Sequence, residues 1–185
     1  DQSEASEALL ADYRSSRLAA FHDWFYQQQQ HSPDEWANTY DQTPINSLPS
    51  CTREVLQRPN DLLLKPAGIQ HVVRVLMALG WHPRHVAGLI RSKYERDFGW
   101  GDRWYRYDAA YRADGYVRLF AGLIATGGDR LVDFNCVSNR EKGYCIDGEC
   151  GHNLADYRDA LAARSNHERL GCGPFNRLFL QNEHL

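Results

Sequence analysis

The sequence predicts an all-α, mainly helical domain of irregular shape, closed by a metal centre on four cysteines. Three observations predict it. Apolar side chains recur at helical spacing over long stretches, with prolines at helix starts and glycines at helix ends. Strand-like alternation is nearly absent. Cys136, Cys145 and Cys150 crowd one Gly-, Asn- and Asp-rich stretch, while Cys51 stands far upstream. A chain of 185 residues suits one domain with an appendage and can bury a core without staples. The expected division is an N-terminal helical extension over residues 1–47, packed on or linked to a main domain over residues 48–185.

Residues 3–30 read as one amphipathic helix. Leu10, Tyr13, Leu18, Phe21, Trp24 and Phe25 form its stripe, and the acidic, Gln-rich remainder faces water. Ser32-Pro33-Asp34-Glu35 is a helix start, with Ser at the cap, Pro first and Glu three after the cap. A short helix carrying Trp36 and Tyr40 is expected to follow. Prolines between Thr43 and Pro49 mark a connector that delivers Cys51. From Cys51 to Arg58 there is room for a short helix before Pro59 stops it.

Pro66 opens the strongest helix, PAGIQHVVRVLMALG, with Ile69, Val72, Val73, Leu76 and Met77 inward and Gly80 at its end. His71 and Arg74 lie three apart and flank that stripe on one side. Trp81-His82 is a tight link, and Pro83 opens a helix carrying Val86, Leu89, Ile90 and Tyr94. This pair also fits a helix-turn-helix, a spacing common to any bundle. An aromatic loop from Phe98 to Trp104 leads to Tyr105-Arg106-Tyr107. A third long helix runs to about Thr126, with Ala113, Val117, Phe120 and Ile124 inward, and Gly127-Gly128 ends it. After the cysteine loop, Asn153 caps a helix from Leu154 to about Arg164. The tail holds Cys172 and an apolar cluster, Phe175, Leu178 and Phe179.

Composition narrows the function classes. No apolar run approaches a membrane span, and no signal-peptide pattern follows Asp1, so the chain reads as an intracellular, trimmed or partial polypeptide. Five cysteines, an odd count, fit a disulfide framework poorly and a reducing compartment well. A net charge of −3 makes no general case for nucleic acid. Its distribution says more: residues 1–50 carry two basic and eight acidic side chains, residues 74–118 nine basic and five acidic. Ordinary solvated helix faces account for these numbers best, with one basic face on an otherwise acidic protein as the alternative. Paired carboxylates, HExxH and phosphate loops are absent, and Asp61, Asp102 and Asp108 lack two-metal spacing, so autonomous catalysis is not expected.

Thiolates are soft ligands that suit Zn²⁺ and iron–sulfur clusters. Cys145 and Cys150 have a spacing compatible with either, and Cys136 lies too far ahead of Cys145 for a zinc knuckle. No CxxC pair is present. Spacing favours metal over free thiols and leaves zinc against cluster open. Cys51 as a distant fourth ligand makes the site a clamp between remote segments, with Cys172 as the spare thiol. His152, two residues past Cys150, reads as a ligand or a donor to a ligand sulfur. His82 and His85 read as surface and cap-region side chains, with a ligand role for one of them as the alternative.

From residue 48 to about 160 the chain resembles the iron–sulfur domain of the large subunit of archaeal and eukaryotic DNA primase. The matching pieces occur in the family's order: Pro49-Ser50-Cys51; His71-x-x-Arg74 with Leu76, Leu79 and Gly80; Tyr105-x-Tyr107-Asp108 with Gly115; Phe134-x-Cys136; Gly143-Tyr144-Cys145, Asp147 and Cys150; and His152 to Tyr157. The resemblance implies a [4Fe–4S] cluster on Cys51, Cys136, Cys145 and Cys150. It implies a role in primer initiation without bond-making: binding the single-stranded DNA template and the 5′-triphosphate end of the primer for a catalytic primase subunit or fused catalytic domain. His71 and Arg74 match the positions that meet that triphosphate. Tyr105 and Tyr107, with Trp81, Trp100 and Trp104 nearby, are candidates to stack on bases. Asp108-Ala109-Ala110 departs from the family's polar, basic pattern, and residues 1–47 have no family counterpart. The competing expectation is a Zn²⁺-stabilised helical module that binds DNA or a protein through helices 66–80 and 83–97.

Overall fold

A computed structural model describes residues 2–57, 63, 65–94 and 109–169. Tyr105, Tyr107, Trp100, Trp104 and Cys172 lie outside the described residues. Among those described, every regular element is helical and none is a strand. No described helix is long and apolar enough to cross a membrane.

The stretch 3–30, expected as one helix, is two: α1 (Gln2–Arg14) and α2 (Arg17–Gln27). Ser16 makes the break. Its backbone is extended, and its side chain accepts the Ala19 N–H at 3.2 Å, capping α2. Helical spacing of the apolar residues runs on across this break, so periodicity alone hides it. Helix α1 buries none of its residues, whereas α2 buries Ala19, Phe21, Trp24 and Phe25. The start at Ser32 is real, because the Glu35 carboxylate accepts the Ser32 N–H at 2.8 Å. It launches tight 3₁₀ turns over Pro33–Asn38 and Tyr40–Gln42 rather than an α-helix. A third such turn, Ile45–Ser47, sits in the connector between Pro44 and Pro49, whose rings leave no room for a longer helix.

Helix α3 (Ser50–Gln57) carries Cys51 on its first turn. Then come α4 (Pro66–Ala78), α5 (Pro83–Tyr94) and α6 (Ala109–Thr126), two of them opened by the expected prolines. Gly80 and Gly127 follow α4 and α6 at φ 95° and 79°, the left-handed conformation that glycine adopts without a Cβ clash. Helix α4 is the centre of the molecule. It buries ten of its residues, from Gly68 and Ile69 to Ala78, and touches α3, α5, α6 and α8. Cys136 does not sit in a loop, as expected, but starts a short helix, α7 (Cys136–Glu141). Asn135 caps it by accepting the Ser138 N–H at 2.9 Å. Helix α8 (Leu154–Arg169) closes the described part.

Phe21, Trp24, Phe25, Trp36 and Tyr40 belong to the same core as Leu76, Val117, Phe134 and Leu161. The extension is therefore packed on the main body, not merely linked to it. Each such fully buried side chain contributes about 1.5–3 kcal/mol.

Candidate metal centre

The beginning of α3 places Cys51 inside the protein, 3% exposed, while Cys136, Cys145 and Cys150 are half-buried. All four thiols are free. The fold brings Cys145 and Cys150 into electrostatic reach of Cys51. Burial first, then Cys145, pushes the Cys51 thiol up to about 11. Cys136 is tied to α8: its sulfur accepts the Leu154 N–H at 3.4 Å. The Ser50 N–H faces Cys150 and draws its thiol below the ordinary range, with help from the His152 backbone and the Ser50 hydroxyl and against the effect of burial. Tyr157 stands beside the same sulfurs. Burial raises its pKa first, followed by Cys150 and Cys51, and its hydroxyl meets His152 Nδ1 at 2.9 Å.

Among the described residues, no group of three or more His, Cys, Asp or Glu side chains forms a site that could hold a metal ion. Four thiolates around one Zn²⁺ at about 2.3 Å would have to be in mutual contact. A polynuclear iron–sulfur core takes thiolates that stand farther apart. The four thiols are chemically compatible with ligation of either kind. The donor set offers thiols alone, backbone N–H groups beside two of the sulfurs, and apolar packing that includes Tyr144 and Tyr157.

His71 and Arg74, expected on the flank of α4, are turned inward, 5% and 6% exposed. His71 Nε2 pairs with Thr52 Oγ1 at 3.0 Å, and its ring meets Phe134 edge-on at 5.9 Å. Burial, first of all, depresses its pKa to about 4, so it is neutral at pH 7. Arg74 grips Asp129 with two bonds, Nε to Oδ2 at 2.9 Å and Nη2 to Oδ1 at 2.8 Å. Its third nitrogen, Nη1, reaches Asp133 Oδ1 at 3.0 Å, and its guanidinium lies 5.5 Å from the Phe134 ring centroid. Lys142 completes the chain by donating to Asp133 Oδ2 at 2.6 Å.

Each of these contacts reaches the neighbourhood of a cysteine. Thr52 follows Cys51, Asp133 and Phe134 precede Cys136, and Lys142 precedes Cys145. Two side chains one turn apart on α4 thus tie down both cysteine-bearing segments. Sequence reading missed Thr52, Asp129, Asp133 and Lys142. The only trace was the acidic pair just before Cys136, and nothing local links it to an arginine so far upstream.

His82 and His85 lie at the seam with the extension. The His82 ring packs on Trp24 at 4.4 Å, and His85 stacks on His31 at 5.0 Å and faces the Tyr40 hydroxyl at 3.3 Å. Trp81 packs against the core. No family model, curated protein or solved structure matches the chain.

Proposed function

We propose that this chain is a non-catalytic, nucleic-acid-binding domain of a primase. It holds a [4Fe–4S] cluster on Cys51, Cys136, Cys145 and Cys150. It supports primer initiation by binding the template and the 5′-triphosphate of the initiating nucleotide, next to a catalytic subunit or fused catalytic domain. One observation carries the reading: Cys51 lies within electrostatic reach of Cys145 and Cys150, from the far end of the main domain. The network on α4 that positions both segments supports it. When bound, a cluster supplies strong iron–thiolate bonds that fasten those segments. The residues around it hold the segments that carry the thiols, and burial shields Cys51 among them.

The alternative is a Zn²⁺-stabilised helical DNA- or protein-binding module on the same cysteines. Protein purified without air separates the two. The expected outcome is a brown protein with iron and sulfide in cluster proportion that bleaches on oxidation. A colourless protein with one zinc per chain ends the cluster assignment.

The nucleic-acid part has its own test. Arg74 is held by Asp129 and Asp133, so a triphosphate that used it would have to exchange with those carboxylates. Arg74→Lys keeps the charge and loses the fork. Binding to a 5′-triphosphate oligonucleotide should then fall more than binding to the same strand with a 5′-hydroxyl. Equal losses would remove Arg74 from the triphosphate site and leave that role to His71, Tyr105 and Tyr107.

A further inference from the structure

Three histidines meet where the N-terminal extension lies on α5. His31 stands between α2 and the start at Ser32, and His82 and His85 flank the opening of α5. His31 stacks on His85 at 5.0 Å, His85 meets His82 edge-on at 6.3 Å, and His82 packs on Trp24 at 4.4 Å. Their hydrogen bonds use the lone pairs that a proton would take. The Arg84 N–H donates to His82 Nδ1 at 3.1 Å, so that nitrogen carries no proton. The Tyr40 hydroxyl oxygen accepts the His31 N–H at 3.2 Å and can donate its own proton to His85 Nδ1 at 3.3 Å. A proton on His82 Nδ1 would set donor against donor.

The charges at this seam do not offset such a proton. Arg84 and Arg91 bring positive charge from α5, and Arg84 acts on both His82 and His85. Asp114 of α6 is engaged by Arg84 and by Gln30. Glu35 accepts from the Ser32 N–H and hydroxyl and lies 3.8 Å from His31 Nδ1. It favours a proton on His31, whose ring is stacked on His85. Burial, first of all, holds the pKa of His82 and of His85 below the ordinary range.

We propose that His31, His82 and His85 form an acid-sensitive latch, which holds the N-terminal extension against α5 while the rings are neutral and loosens it as they take up protons. Opening exposes the rings to water, where they bind protons that the closed seam refuses. The latch is at full strength above about pH 6.5 and is lost as pH falls towards about 4. It involves neither the cysteines nor the Arg74 network, so α4 keeps its packing while the seam opens.

Amide hydrogen exchange of the whole protein, corrected for the intrinsic effect of pH, tests this at about pH 7.5 and about pH 5. Residues 28–42, which carry His31 and Tyr40, should lose protection by about tenfold at the lower pH, while residues 66–78 of α4 keep theirs. The triple variant His31→Gln, His82→Gln, His85→Gln should show no such difference over 28–42. If it does not fold, His85→Gln alone should cut the difference to about threefold. Protection over 28–42 that is equal at both pH values overturns the latch. So does an equal loss over α4, which would mean that the whole molecule opens, and so does a wild-type difference in the variant.

Discussion

The two seams of this molecule are built from different chemistry. Where α4 meets the cysteine segments, the fastening is polar and directional: Arg74 to Asp129 and Asp133, Lys142 to Asp133, His71 to Thr52. Where α5 and α6 meet the N-terminal extension, the fastening is mainly aromatic. Tyr40 lies against Gly88, Phe21 against Gly122, and Trp24 against His82, with Arg84 paired to Asp114 over the Phe25 ring. Packing tolerates small shifts and gains from area. Bidentate bonds fix angles and lose much of their worth when displaced. Holding remote segments at fixed angles needs the second kind of seam. An appended helical layer needs only the first.

Three experiments sharpen or break this contrast. The largest effect is expected at Arg74. Arg74→Gln leaves Asp129, 5% exposed, without its cation, and removing one partner of a buried pair costs about 3–5 kcal/mol. Urea unfolding measures it, and a loss below about 1 kcal/mol would show that the polar seam is not held by this pair. The next effect is at Gly88, where a Cβ would overlap the Tyr40 hydroxyl. Gly88→Ala should cost about 1–3 kcal/mol by overpacking. In a Tyr40→Ala background the same methyl should be neutral or add up to about 1 kcal/mol, as alanine does in a helix. An equal loss in both backgrounds would mean that Tyr40 is not what fills the space beside Gly88.

The smallest effect concerns pH. Burial first, then His85, with Arg84 also acting, depresses the His82 pKa from 6.5 to about 4. The unfolded chain therefore takes up a proton that the folded chain refuses. The contribution of neutral His82 is complete above about pH 6.5 and is lost as pH falls towards about 4. His82→Gln should flatten that part of the stability curve. His71, also at about 4, maintains a residual fall from the other seam. If His82→Gln left the curve unchanged, the aromatic seam would carry no proton linkage through this residue.

Much of the helical framework was legible in the residues. Pro66 and Pro83 open α4 and α5 where a missing N–H does no harm, and Gly80 and Gly127 end α4 and α6 in a conformation other residues avoid. The all-α class followed from the same signals. Local signals failed where competing ones overlapped. The apolar stripe of 3–30 conceals the cap at Ser16, and Asn135 turns an apparent loop into α7. At the candidate site the sequence offers four cysteines as expected ligands but not the side chains that support their segments. His71 and Arg74 stood out as a pair on one helix side. Their direction did not, because the partners that draw Arg74 inward, Asp129 and Asp133, are more than fifty residues away and are acidic groups of a kind usually left in water. Pairing at that distance leaves no periodic trace.

One turn of that network is stable only through a contact from a distant part of the chain. Leu131 has φ 55°, the only left-handed non-glycine residue among those described, and is nearly buried. Such a conformation costs on the order of 1–3 kcal/mol. Its N–H donates at 2.9 Å to Asp129 Oδ1, the oxygen that also holds Arg74. The turn is therefore unfavourable alone and becomes favourable once α4 presents its guanidinium. The placement of Cys136, just downstream, thus depends on a contact made from α4, more than fifty residues away in the chain.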